Sequence, residues 1–265
     1  MITKKYFLEQ IEPPRSPKET LPTMYDLPSE NPEEPGLPDE FHDFQPELLR
    51  ITFKPSNYSA EKVFSGSDMN LYYDLHHTNW YKRPDWFGVV GVSRLYQQQD
   101  LRLSYVIWQE GVSPFVVVEL LSPGTEDEDL GKTQPPPHKP PSKWQVYEQI
   151  LRIPYYVTFS RYTNQLRAFV NYGGSYQELN LTKPKVWMPQ LGLGLGLWQG
   201  EYSGINRLWL RWYDAEGNWI PTEAEAAKQE VTAAKQEAEQ ERLRAEAAEA
   251  RAEELAQKLK DLGIS

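Results

Sequence analysis

The pattern of apolar and polar positions predicts a chain that is mainly β structure in its middle and helical at its end. The clearest strand is the run from Phe115 to Leu121, which is continuously apolar apart from one acid and is rich in β-branched residues. Such a run, ended by a Ser-Pro-Gly turn, is typical of a strand buried on both faces. Shorter apolar runs predict further strands at residues 68–75, 86–92, 101–108 and 155–159, and a hairpin at 166–179. Residues 186–198 and 208–219 should add further aromatic β structure, with a turn at 214–218.

One helix is predicted within this β-rich region. It begins after Ser142, a residue type that commonly caps helix N-termini, and ends before Pro154. Its apolar positions recur at helical spacing and should share one buried face: Trp144, Tyr147, Ile150 and Leu151. A short helix is also expected at residues 46–50. We therefore expect an α/β (α+β) domain over residues 41–220, with a mixed sheet flanked by helices.

The two ends of the chain have different compositions. Residues 1–40 contain eight prolines among acidic residues, which predicts an extended arm, held against the domain by Tyr25 and Leu27. Residues 221–265 are mostly Ala, Glu, Lys, Gln and Arg, which predicts a helix of about 40 residues, roughly 60 Å long. Its heptad seam is mainly alanine, so a weak oligomerising arm in a homo-oligomer is favoured over a tight coiled coil.

Composition excludes several classes of site. The 265 residues include no cysteine, which excludes disulfides, thiolate zinc sites and a cysteine nucleophile. There is no apolar stretch of the roughly 20 residues that a membrane span requires, so we expect a soluble cytoplasmic protein without membrane contact. The net charge of −10 lies entirely in the ends, since residues 41–215 hold seventeen basic and seventeen acidic residues. A neutral middle gives no positive support for a nucleic-acid partner.

Two acids lie at or inside predicted core strands. Glu119 is inside the strand after Phe115, and Asp85 follows a proline at the start of another apolar strand. A buried carboxylate without a partner is costly, so Glu119 should be neutral, salt-bridged or bound to a metal. One hypothesis is a structural ion pair of these acids with one of three cations, Arg83, Arg102 or Lys143.

The other hypothesis is a divalent-cation site. Asp85, Glu119 and the main-chain carbonyl of Leu120 would supply oxygen ligands to Mg²⁺ or Mn²⁺. Lys143, at the start of the predicted helix, could orient an attacking water or stabilise charge on a phosphate, and Tyr147 follows one turn later on the same face.

Structural roles are favoured for three further segments. The acids from Glu126 to Asp129 indicate a solvated turn, and the proline-rich residues 131–142 an exposed loop. The aromatic residues of 208–219 could stack on bases, but with only Arg207 and Arg211 as nearby cations a packed hairpin is favoured.

Five sequence pieces, in this order, carry a family resemblance: Pro84-Asp85, Glu119 to Thr125, Asp129-Leu130-Gly131, Lys143 to Tyr147 and Ile153 to Tyr156. Together they resemble the Uma2-type restriction endonucleases of the PD-(D/E)xK nuclease superfamily. The superfamily has its lysine two residues after the glutamate, where this chain has Leu121, and the resemblance implies that Lys143 takes that role.

The resemblance implies a restriction-endonuclease-like fold and Mg²⁺-dependent hydrolysis of DNA phosphodiester bonds. Asp85 and Glu119 would be metal ligands, and Asp85, Glu119, Lys143 and Tyr147 would form the catalytic set. The alternative from another class is an inactive nuclease-fold scaffold that assembles through its C-terminal helix.

Overall fold

The structure is a computed structural model that describes residues 39–122, 124–136 and 138–261. The predicted arm at residues 1–40, including Tyr25 and Leu27, lies almost entirely outside the described residues. The described residues up to Ile220 form one compact unit, and the described residues from Pro221 onward form a second.

Among the described residues, the first unit contains four α-helices, a 3-10 helix at Ala60–Lys62 and twelve strands. The helices are α1 (Glu40–Thr52), α2 (Ile107–Glu110), α3 (Glu126–Asp129) and α4 (Lys143–Gln145), the last continuing as a π-helix at Val146–Ile150. The strands are β1 (Val63–Gly66), β2 (Leu71–Tyr72), β3 (Tyr81–Lys82), β4 (Trp86–Val90), β5 (Tyr105–Val106), β6 (Val116–Leu120), β7 (Tyr155–Ser160), β8 (Gln165–Tyr172), β9 (Ser175–Glu178), β10 (Lys185–Met188), β11 (Leu193–Tyr202) and β12 (Ile205–Tyr213).

A six-stranded sheet in the order β1-β4-β6-β7-β8-β9 forms the centre of the unit. Strands β6 and β7 are parallel and the other neighbours are antiparallel. Every residue of β4, β6 and β7 is buried, as their continuous apolar runs predict. The mixed α+β fold class is therefore confirmed.

The two faces of this sheet pack against different layers. On one face, Val118 and Leu120 of β6 lie in a core with α1 and with the antiparallel sheet β10-β11-β12. On the other face, Val117 packs with Tyr147 of the π-helix and with residues of the small sheet β3-β2-β5. Because side chains alternate along a strand, Glu119 points to this second face.

Helix α1 starts six residues before the predicted short helix at residues 46–50. Asp39 caps it by accepting a hydrogen bond from the backbone N–H of His42 at 3.0 Å. Gln45 is fully buried and exchanges two hydrogen bonds with the backbone of Leu210 on β12, one from its amide to the carbonyl at 2.9 Å and one from the N–H at 2.8 Å. The amide of Gln45 thus completes the outer edge of β12.

Three other predictions needed correction. The predicted strand at 68–75 is confined to β2, since Asp68 before it adopts a positive φ of 47° and the chain after it turns between Asp74 and His77. The predicted strand at 101–108 reduces to β5, because the chain turns into α2 at Ile107. Ile150 was expected on the buried face but is 48% exposed, because the π-helix adds a residue to the turn and rotates it outward.

The second unit is the long helix α5 (Glu223–Asp261), which has the 39-residue length that the composition predicts. Thr222 and Glu225 form a capping box at its start, with bonds of 2.8 and 3.2 Å. Its larger apolar side chains Val231, Leu243 and Leu255 are all more than half exposed. Within the described part of the chain, no helix has both the length and the apolar character required to cross a bilayer.

Candidate active site

Asp85 and Glu119 lie side by side on neighbouring strands. The antiparallel register pairs Trp86 with Val118, which places Asp85, one residue before β4, opposite Glu119 on β6. The backbone N–H of Asp85 donates to Glu119 Oε2 at 3.3 Å, and the N–H of Leu120 donates to Asp85 Oδ2 at 2.6 Å. The backbone of each strand therefore fixes the carboxylate of the other.

Helix α4 brings Lys143 and Tyr147 to the same carboxylate. Ser142 caps the helix in a capping box with Gln145, so its first residue, Lys143, has a fixed start. Lys143 Nζ lies 3.1 Å from Glu119 Oε2, and the Tyr147 hydroxyl donates to Glu119 Oε1 at 2.9 Å. The structure thus brings together the four predicted catalytic residues, Asp85, Glu119, Lys143 and Tyr147.

Asp129 is a member of this cluster that sequence reasoning missed. The interpretation of residues 126–129 as a solvated turn is wrong for this residue, which is 1% exposed because α3 turns it inward. Its Oδ1 lies 2.9 Å from Lys143 Nζ, and its Oδ2 accepts a hydrogen bond from the Thr125 hydroxyl at 2.9 Å. The signal was its place in the Asp-Leu-Gly piece of the family resemblance.

A second acid of α3 holds the helix start in place. Glu128 Oε1 accepts hydrogen bonds from the backbone N–H of Lys143 at 3.1 Å and from Lys82 Nζ at 3.2 Å. The N-terminus of α4 is therefore tied to α3 through its backbone as well as through the Lys143 side chain.

The cluster contains more negative than positive charge. Three carboxylates, those of Asp85, Glu119 and Asp129, surround the single ammonium of Lys143. Burial raises the pKa of Glu119 well above its usual range, and the neighbouring acids Asp129 and Asp85 raise it further. Lys143 lowers this pKa, but by less than the other effects raise it. Burial also raises the pKa of Asp129. Burial by itself would lower the pKa of Lys143. The surrounding acids outweigh burial and raise this pKa well above its ordinary value, so Lys143 stays charged.

His42 of α1 approaches the site from the other side of the sheet. Its Nε2 donates to the Leu120 carbonyl at 3.2 Å, and its Nδ1 lies 2.8 Å from Asp39 Oδ1. Burial alone would lower the pKa of His42, but the hydrogen bond to Asp39 and the charge of Asp85 raise it overall. The imidazole of His42 therefore contacts the carbonyl of a predicted ligand residue, and no local sequence signal pointed to a contact 78 positions away.

The site opens into a cleft of about 690 Å³. Its lining includes Asp85, Leu120 and Lys143, whereas the third predicted ligand residue, Glu119, is fully buried and is not part of the lining. Six acids and three Lys or Arg residues line the cleft, which is therefore acidic on balance: Asp39, Glu40, Asp43, Asp68, Asp85 and Glu128 against Lys82, Arg83 and Lys143.

The donor chemistry fits a hard divalent cation. Carboxylate and carbonyl oxygens are the ligands that Mg²⁺ and Mn²⁺ prefer, and a dication would offset the surplus of carboxylates. Glu119 Oε1 accepts one hydrogen bond, from Tyr147, and retains a second lone pair for an ion, whereas Oε2 already accepts from the Asp85 N–H and from Lys143. The described residues contain no group of three or more His, Cys, Asp or Glu side chains placed to bind a metal, and the predicted set has only two.

An acid on each of two adjacent core strands of a mixed sheet, beside a lysine, is the arrangement expected of a restriction-endonuclease-like α+β domain, although the lysine comes here from the following helix. The model of the Uma2 family, described as "Putative restriction endonuclease", matches residues 15–206. Because this match spans more than half of the chain, the chain belongs to the Uma2 family.

Other comparisons add less. A crystal structure described as a "putative nuclease belonging to DUF820" from Anabaena variabilis ATCC 29413 aligns with 60% of this chain and 77% of its own chain, at 9% sequence identity and a TM-score of 0.42. No curated protein matches the chain.

Proposed function

We propose that the protein is a metal-dependent endonuclease that hydrolyses phosphodiester bonds of DNA. The observation that supports this best is the meeting of Asp85 and Lys143 on the wall of one cleft, with the buried Glu119 in contact with both of them. Membership of the Uma2 family points to the same class of activity.

In this proposal, Asp85, Glu119 and the Leu120 carbonyl hold Mg²⁺ or Mn²⁺. The bound ion supplies Lewis-acid stabilisation of charge on the phosphate. Tyr147 holds the Glu119 carboxylate in one orientation through its 2.9 Å hydrogen bond. The backbone N–H of Leu120 does the same for Asp85.

Lys143 acts on the phosphate and on the attacking water. Its ammonium stays charged because of the surrounding acids, and it lines the cleft, so it can donate hydrogen bonds to either. In the reaction, the oxygen of one water forms the new bond to phosphorus while an ester P–O bond breaks. The leaving oxygen ends as a hydroxyl that carries a proton derived from that water.

Plasmid cleavage tests the proposal directly. Supercoiled plasmid is incubated with the full chain in Mg²⁺, in Mn²⁺ and in EDTA, beside the isosteric variants Asp85→Asn and Glu119→Gln. We expect metal-dependent cutting that falls at least about 100-fold in each variant, because each removes a charged ligand. The matched control is Asp68→Asn, an exposed acid in the same cleft. Cutting that persists in both site variants would remove these acids from the mechanism.

The exposed helix α5 favours a second candidate, a nuclease-fold scaffold that assembles through this helix. That function predicts no binding of Mg²⁺ at millimolar concentration and a change of oligomeric state when the helix is removed. The cytoplasmic location and the homo-oligomer remain predictions.

A further inference from the structure

A pair of arginines lies next to the cleft, outside the candidate active site. Arg161 follows β7 in the turn to β8, and Arg207 belongs to β12. Both guanidinium groups lie over the ring of Phe41 at the start of α1, 5.6 Å from its centroid for Arg161 and 4.3 Å for Arg207. We call these two residues the arginine pair.

The arginine pair has a net positive charge. Arg161 forms an ion pair with Asp39 at 2.7 Å. Arg207 donates to the Leu208 carbonyl at 3.3 Å and forms no ion pair within the described residues. By contrast, each basic residue that lines the cleft has an acidic partner: Lys82 pairs with Glu128, Arg83 with Asp68, and Lys143 with Glu119 and Asp129.

The electrostatic surroundings of Arg207 agree with this count. Burial lowers the pKa of Arg207, and the nearby charge of Arg161 lowers it further. The charge of Asp39 raises this pKa, but by less than the other two effects lower it. An anion bound to the arginine pair would relieve the repulsion between the two guanidinium groups. Arginine suits a phosphate in particular, because its planar fork can donate two parallel hydrogen bonds to phosphate oxygens.

The position of the pair relative to the cleft suggests the ligand. Asp39 both lines the cleft and contacts Arg161, so the pair lies directly beside the cleft wall. The cleft is acidic on balance and would repel a polyanion along most of its lining. A nucleic acid whose scissile phosphate reaches Lys143 therefore requires cations outside the cleft for its neighbouring phosphates.

We propose that the arginine pair binds a backbone phosphate of the DNA substrate, beside the phosphate that is cut. This inference rests on the proposed function for its substrate. The exposed ring of Tyr162, whose hydroxyl accepts a hydrogen bond from Arg161 at 3.2 Å, extends the same surface.

Binding without cleavage tests this proposal. The full chain is titrated into a short fluorescein-labelled DNA duplex in EDTA, and fluorescence anisotropy is recorded at several NaCl concentrations. The variants are Arg207→Gln and, in case the first fails to fold, Arg207→Lys. The matched control is Arg167→Gln, since Arg167 also lies over a ring, that of Phe169 at 5.1 Å, but is paired with Glu178 and does not line the cleft. Circular dichroism establishes that each variant is folded.

We expect Arg207→Gln to bind about tenfold more weakly at ~0.1 M salt, with a slope of log K against log salt smaller by about 1, as for the loss of one phosphate contact. Arg207→Lys keeps the charge but not the fork, so it should bind with an intermediate Kd and the slope of the wild type. Arg167→Gln should match the wild type.

A folded Arg207→Gln with the wild-type Kd and slope would overturn the phosphate site, and so would a wild type that binds no DNA. A plasmid cleavage assay distinguishes a failure of the phosphate site from a failure of the proposed endonuclease function. Cutting that depends on Asp85 but not on Arg207 would refute the arginine pair alone. Binding that depends on Arg207 without any cutting would refute the endonuclease alone.

Discussion

The carboxylates of Asp85 and Glu119 are each held by a hydrogen bond from the neighbouring strand. The N–H of Asp85 donates to the Glu119 carboxylate, and the N–H of Leu120 donates to the Asp85 carboxylate. Neither carboxylate can turn away without breaking a hydrogen bond to a core strand. The two oxygen donors are therefore preorganised before any ion arrives, which favours tight and selective binding.

Divalent cations should stabilise the protein through these acids. We expect millimolar Mg²⁺ or Mn²⁺ to raise the Tm of the wild type, by the equivalent of about 1.4 kcal/mol at a concentration ten times the Kd. Asp85→Asn preserves the hydrogen bond from Leu120 but loses the charge, and should show no such rise. Differential scanning fluorimetry measures the effect, with Asp68→Asn as the control that keeps it. An equal rise in both variants would place the ion elsewhere.

Lys143→Met should destabilise the protein in a pH-dependent way. It leaves the buried carboxylates of Glu119 and Asp129 without their cation, at a cost of about 3–5 kcal/mol near neutral pH. Their pKa values are already raised by burial and should rise further. Stability linked to a raised carboxyl pKa is present at low pH and lost as pH rises through the folded value.

The loss of unfolding free energy in Lys143→Met should therefore shrink as pH falls toward the ordinary pKa values of carboxyl groups. Urea unfolding at several pH values measures it. A deficit that is constant with pH would show that the lysine contributes by packing rather than by charge.

Gln45→Leu should lower stability although leucine has a similar size. The substitution leaves the N–H and the carbonyl of Leu210 without their partners inside the core, at a cost of about 1–3 kcal/mol for each group. Thermal unfolding followed by circular dichroism measures the loss. Gln177→Leu on the exposed side of β9 is the control and should change little. Equal Tm values for the two variants would contradict the role given to this amide.

The ion pair of Asp39 and His42 should contribute most at mildly acidic pH. The raised pKa of His42 provides stability below its ordinary value of 6.5, which is lost as pH rises through the folded value. The pKa of Asp39 is lowered from 3.8 to about 2 despite burial, mainly by its bonds to His42, so its contribution is lost as pH falls toward 2. The stability difference between wild type and His42→Ala should therefore peak between about pH 4 and 6.5 in urea unfolding. A difference that grows above pH 8 would contradict this.

Removal of residues 221–265 should reduce the number of chains in the oligomer. Helix α5 exposes more than half of Val231, Leu243 and Leu255, which a partner helix could cover. Size-exclusion chromatography with light scattering on the full chain and on a chain ending at Ile220 measures the mass. If both elute as monomers, the helix is not an oligomerising arm.

Sequence pattern predicted the central strands because their chemistry is unambiguous. The continuous apolar runs of β4, β6 and β7 have no other stable place than the middle of a covered sheet. The hairpin of β8 and β9, turning at Gly173, also formed as expected, since both of its turn glycines adopt positive φ.

Side chains whose role depends on distant contacts could not be predicted in the same way. Asp129 has the same chemistry as its three acidic neighbours, so apart from its place in the Asp-Leu-Gly piece only the burial of one side of α3 distinguishes it. His42 contacts a carbonyl that the fold alone brings near. The start of α1 was missed because Pro46 suggested a helix boundary, whereas the cap is Asp39.

The proline-rich loop has a practical consequence. The loop connects Asp129 to Lys143, and an ion pair joins these two residues. Because the entropic cost of closing a loop grows slowly with its length, extra residues in this loop add little to that cost. Gly131, with a φ of 70°, starts the loop against the ring of Trp144, and the exposed residues Thr133 and Gln134 lie beyond it. This loop is accordingly the natural place to attach a fluorescent label or an affinity peptide, since a reporter carried there would respond to events at the lysine without entering the cleft.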